Sequence, residues 1–81
     1  MATDSWRVER KMHSGQWENR FGGYETEAKA MDSAARHGKS AFHTTRWRVL
    51  CDGGPDEGRI VEAEFVPGNR AVWTVMQEAH K

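Results

Sequence analysis

The side chains in this chain that could ligate a metal are His13, His37, His43, His80 and Cys51, and none of them stands at a ligand spacing such as CxxC or HxxxH. Structural zinc needs four convergent donors, so scattered single histidines read as ordinary surface residues. Nucleophiles are equally isolated. Ser33 and Ser40 lack the strand–turn–helix context of a nucleophile elbow, and Cys51 sits at an inward position of an apolar run, where a thiol packs. The glycine-rich "FGGYE" and "DGGPDEG" lack the GxxxxGK[ST] pattern of a phosphate loop and read as turns. Carboxylates are plentiful, but most have a basic neighbour, so no acid–base pair is marked out. The residues point away from catalysis, cofactors and metals and toward a binding protein.

Arg46-Trp47-Arg48 is the most suggestive triplet. Cations flanking an aromatic ring are the ingredients of a nucleic-acid platform, in which the ring stacks on a base. The same triplet in an alternating strand has a second reading: the ring points inward and both arginines meet carboxylates on a neighbouring strand. The elements around it decide.

"RWRVLC" and "RIVEAEFV" flank the turn-rich "DGGPDEG" and form a hairpin. Centring its loop on Pro55 pairs Trp47 with Ala63 and Val49 with Val61 inside. Arg48 then meets Glu62, Arg46 meets Glu64, and Leu50 meets Ile60 outside. Each exposed ion pair adds only about 0.2–1 kcal/mol. Their functional weight is larger, because they leave the arginines no unmatched charge for a phosphate.

"WRVERKM" and "QWENRF" alternate in the same way around Ser14-Gly15. A two-residue loop there pairs Met12 with Trp17 and Val8 with Phe21 inside, and Lys11 with Glu18 and Glu9 with Arg20 outside. It leaves Arg10 and Asn19 facing each other on the inner side, beyond the end of the helix. Between the hairpins, "TEAKAMDSAARHG" reads as a helix with Thr26 as N-cap, Glu27 at the positive end of the dipole and Gly38 as the stop. Ala28, Met31, Ala34 and Ala35 share its inward stripe, and Phe42 in the following connection covers the core edge.

After the turn signal Pro67-Gly68-Asn69, "AVWTVM" is a fifth strand, or Asn69 caps a terminal helix. If Gly68-Asn69 is a two-residue loop, Trp73 faces Glu64 on the outer side and Val75 faces Glu62. A loop one residue longer puts Trp73 in the core. In the first case Leu50, Ile60, Val66, Trp73 and Val75 form an apolar area on a second face, which a monomer of this size rarely leaves bare.

The expected fold is therefore α+β: an antiparallel sheet of four to five strands with one helix on one face, in the order ββαββ. The 81 residues form a single domain, at 37% apolar and 30% charged. Net charge is zero, with nine Lys/Arg against six Asp/Glu in residues 1–48 (+3) and three against six in 49–81 (−3). This is far from the basic balance of a nucleic-acid binder. No apolar run approaches a membrane span, and one cysteine with no signal peptide suits a reducing cytoplasm.

In size and element order, residues 6–66 resemble small proteins of phages and mobile elements, with the Trp-rich hairpin "WRVERKMHSGQWENRF", the Ala-rich helix and a short second hairpin. Some proteins of that build are anti-CRISPRs. The resemblance implies an inhibitor that occludes a protein or ribonucleoprotein complex of the host. Inhibitors that mimic DNA are strongly acidic, and this neutral chain departs from them.

The sequence thus places Trp73, Leu50 and Ile60 as partner-binding anchors, with Arg46, Arg48, Glu62 and Glu64 as their polar surround. A nucleic-acid regulator using Arg7, Lys11, Arg20, Arg36 and Lys39 is the alternative. A homodimer through the same apolar area is the third reading.

Overall fold

The computed structural model describes residues 4–38, 46–66 and 70–79. Five antiparallel strands, β1 (Ser5–Lys11), β2 (Trp17–Tyr24), β3 (Arg46–Gly53), β4 (Ile60–Val66) and β5 (Arg70–Gln77), and one helix, α1 (Glu27–Gly38), make up the α+β fold. The sheet order is β2-β1-β3-β4-β5, so β2 and β5 are its edges. Lys39, Ser40, Phe42 and His43, together with His80, lie outside the described residues.

Alternation builds the core. Trp6, Val8, Trp47, Val49, Cys51, Val61 and Ala63 point to one face and are buried, with Ala30 and Ala34 of α1 closing over them. The indole N–H groups of Trp6 and Trp47 find no acceptor among the described residues. That costs about 1–3 kcal/mol each, which the ring area removed from water offsets.

Thr26 caps α1, its Oγ1 accepting from the Lys29 amide at 3.1 Å. The buried stripe is Ala30, Ser33, Ala34 and Gly38, rotated from the one expected, and Ala28 is exposed. The shift follows from Ser33, whose hydroxyl reaches Tyr24 Oη at 2.7 Å and so can be buried. Gly38 earns its place by packing rather than as a positive-φ stop: a Cβ there would overlap the Phe65 ring.

The β3–β4 hairpin has the expected register at every pair from Arg46–Glu64 to Leu50–Ile60. The first hairpin agrees only at Val8–Phe21. Its turn closes through Met12 and Gln16 (2.7 Å), leaving the three-residue loop His13-Ser14-Gly15 with Gly15 at φ 90°. Lys11 therefore faces Trp17, Arg10 faces Glu18 and Glu9 faces Asn19, before bulges in β2 restore the pairing. Trp17 moves from the inner to the outer side. The C-terminal segment is a strand, not a helix, and Trp73 pairs with Ala63.

Candidate functional site

Helix α1 covers the inner face over β2, β1 and β3, leaving the opposite, outer face of the sheet to be organised by side chains alone. That outer face has two unlike halves.

Over β2, β1 and β3 it is closed by charge pairing. Glu9, only 6% exposed, accepts from Arg48 Nε at 2.7 Å, and Arg7 Nε lies 3.4 Å from its other oxygen. The Arg48 guanidinium lies over the Trp17 ring at 4.3 Å, and Arg7 also reaches Asp52 at 3.4 Å. A buried carboxylate is tolerable only with such partners. Arg48 stands across from Glu62 in the ladder as expected, but its side chain turns to Glu9 instead, because the deeper carboxylate has the greater need of a cation.

Over β3, β4 and β5 the face is open. Arg46 bridges Glu62 at 2.7 Å and Glu64 at 3.2 Å. The hydrogen bond that Arg46 donates to Glu62, with the charges of both carboxylates, raises the Arg46 pKa above its ordinary value, so this side chain is a fixed cation. These three residues with Val66, Val72, Thr74 and Met76 line a cleft of about 330 Å³. Val72 and Met76 are 47% and 58% exposed. One arginine against two glutamates leaves the cleft with a formal charge of −1. It offers apolar contact beside carboxylates, a setting for binding.

Of the anchors expected from sequence, Leu50 and Ile60 are paired on the outer face and half-buried. Trp73 is not on that face: it is partly buried against the core, the placement given by the longer connection. The outer apolar group is corrected accordingly, with Val72 and Met76 replacing Trp73 and Val75. Arg10 and Asn19 do not face each other; Arg10 meets Glu18 at 3.3 Å. Glu18 also accepts from Arg20 at 2.8 Å, and that bond, with the nearby charge of Arg10, holds its carboxyl below the usual range.

The alternative cationic set is dispersed. Arg7 is tied to Glu9 and Asp52, Arg20 to Glu18, and Arg36 to Asp32 at 3.2 Å, while Lys11 stands opposite Trp17. Lys39 lies outside the described residues. Cys51 is buried, its thiol donating to the Gly53 carbonyl at 3.1 Å, and burial pushes its pKa up, away from the reactive thiolate. Among the described residues no three His, Cys, Asp or Glu side chains converge as metal ligands, and no helix is long and apolar enough to cross a membrane.

Glu9, Trp17, Val72 and Met76 are the site residues that sequence reasoning missed. The signal for Trp17 was the triplet His13-Ser14-Gly15, a three-residue loop with glycine last, whereas Glu9 meets Arg48 through the β1–β3 pairing, which no turn signal marks. Comparison with protein-family models, curated proteins and solved structures finds no match for this chain.

Proposed function

We propose that this chain is a non-enzymatic protein-binding module that acts by occluding a macromolecular partner with the open half of its outer face. The observation that carries the reading is the cleft over β3, β4 and β5, where exposed Val72 and Met76 adjoin the Arg46–Glu62–Glu64 group. A partner that inserts an apolar side chain next to a lysine or arginine fits an apolar cleft of net negative charge. Leu50 and Ile60 pair on the same outer face, outside the lining of the cleft. In the form suggested by the resemblance to anti-CRISPRs, the protein is a phage-encoded inhibitor working in the bacterial cytoplasm on a host protein or ribonucleoprotein complex.

A phosphate backbone fits this cleft poorly. Its one cation already faces two carboxylates, and Arg7, Arg20 and Arg36 are each paired elsewhere.

Affinity capture from nuclease-treated bacterial lysate tests the reading. Wild type and Arg36→Ala should retain the same stoichiometric protein, and Val72→Lys/Met76→Lys should lose it. Capture that disappears with nuclease, or that survives the double substitution, contradicts the proposal.

A further inference from the structure

The carboxylates of the cleft have acceptors to spare. Arg46 donates through one guanidinium nitrogen to an oxygen of Glu62 at 2.7 Å, and its other terminal nitrogen lies 3.2 Å from an oxygen of Glu64. The second oxygen of each carboxylate has no partner among the described residues. Arg48, the cross-strand neighbour of Glu62, is turned to Glu9. Glu64 keeps 52% of its side chain exposed. Val72 and Met76 line the same cleft with much of their own surface in solvent.

We infer that the cleft takes one arginine side chain of the partner, its stem along Val72 and Met76 and its guanidinium on the free oxygens of Glu62 and Glu64. That the arginine belongs to a partner rests on the docking reading above; that the cleft accepts one does not. Covering the two carboxylates with a purely apolar side chain would strip water from oxygens left without donors, which is costly. A phosphate or carboxylate would meet the lining's formal charge of −1 with its own like charge. The occupant must therefore bring apolar length and several donors on a cation, as arginine does. Arg46 is the internal precedent, since one guanidinium already spans both carboxylates, a geometry that the compact ammonium of lysine matches less well. Arg70 stands across from Val66, outside the lining, and makes no ion pair with either glutamate.

Titration of the isotope-labelled chain with acetyl-glycyl-arginyl-glycinamide, followed by residue-resolved NMR, is the test, with the citrulline peptide as the neutral isostere. The arginine peptide should shift Glu64, Thr74 and Met76 saturably, with a dissociation constant in the millimolar range. Citrulline, alike in shape and without the charge, should bind about fivefold more weakly or worse. Glu64→Gln leaves one arginine against one glutamate in the lining, a charge of zero. It should weaken the arginine peptide by about two- to fivefold and leave citrulline unchanged. Arg46→Gln leaves the two glutamates alone, a charge of −2, and frees the oxygens that Arg46 holds. It should tighten the arginine peptide by about two- to fivefold, a gain that general disturbance of the fold would not give.

No saturable shift up to about 20 mM peptide, citrulline binding as tightly as arginine, or indifference to both Glu64→Gln and Arg46→Gln overturns the inference. The docking reading fails separately. If Val72→Lys/Met76→Lys loses a captured protein while the arginine peptide shifts nothing, that reading stands and the arginine does not. If the peptide binds as described and lysate yields no stoichiometric protein, the cleft's preference for arginine stands without the docking role.

Discussion

The outer face teaches most when its halves are set side by side. Over β2, β1 and β3, a buried carboxylate, two arginines and a tryptophan are charge-paired and packed against one another, with Arg7 Nε at ion-pair distance from Glu9 but making no hydrogen bond. Over β4 and β5, valine and methionine stand in solvent beside a cleft, at the edge of the sheet. Both halves belong to one sheet and neither lies under the helix. The difference is what each side chain has for a partner. Where every charge is answered within the chain, a surface is framework; where apolar groups remain unanswered, the partner comes from outside.

The largest blow to that contrast should come from Arg48→Met. It leaves Glu9 buried with only the more distant Arg7, and should cost about 3 kcal/mol in chemical denaturation. A loss under about 0.5 kcal/mol would show the closed half to be ordinary surface. Trp73→Ala comes next, at about 2 kcal/mol, because the ring packs partly against the core. A fully stable variant would return Trp73 to the docking surface. By contrast, Val72→Lys should change monomer stability by no more than about 0.5 kcal/mol while weakening partner capture.

The smallest effect sharpens the picture by pH. Asp56 is held above the usual carboxyl range first by the charge of Asp4 and then by burial, while its amide donates to Asp4 Oδ1 at 2.9 Å. A carboxyl whose folded pKa is raised opposes folding when ionised, and that opposition fades as pH falls through the folded value. Asp4→Asn keeps an acceptor and removes the charge. It should raise stability slightly at neutral pH, with the gain shrinking as the solution is acidified, measured as the slope of stability against pH.

How far the sequence could be read varied with how tightly each turn is specified. "DGGPDEG" lies between two strands whose alternation agrees on only one centring, so all five pairs of β3 and β4 were readable in advance. The α+β class and the strand order along the chain followed from the same alternation. Ser14-Gly15 permitted loops of two or three residues, and the choice moved Trp17 across the sheet and parted Glu9 from Arg20, while the β1–β3 pairing sets Glu9 beside Arg48. "AVWTVM" is apolar at both parities, so alternation could not say which face Trp73 takes. Of the cleft lining, Arg46, Glu62 and Glu64 were legible through register, as was the Leu50–Ile60 pair on the same face, while Val72 and Met76 were hidden by that ambiguity.

Residue-resolved amide hydrogen exchange of the chain, alone and with the protein captured from lysate, bears most directly on the claim that the open half of the outer face is the docking surface and the closed half is framework. The account predicts that amides of β5 gain protection on binding while those of β2 stay as they were. Protection gained along β2, or none gained along β5, would contradict it.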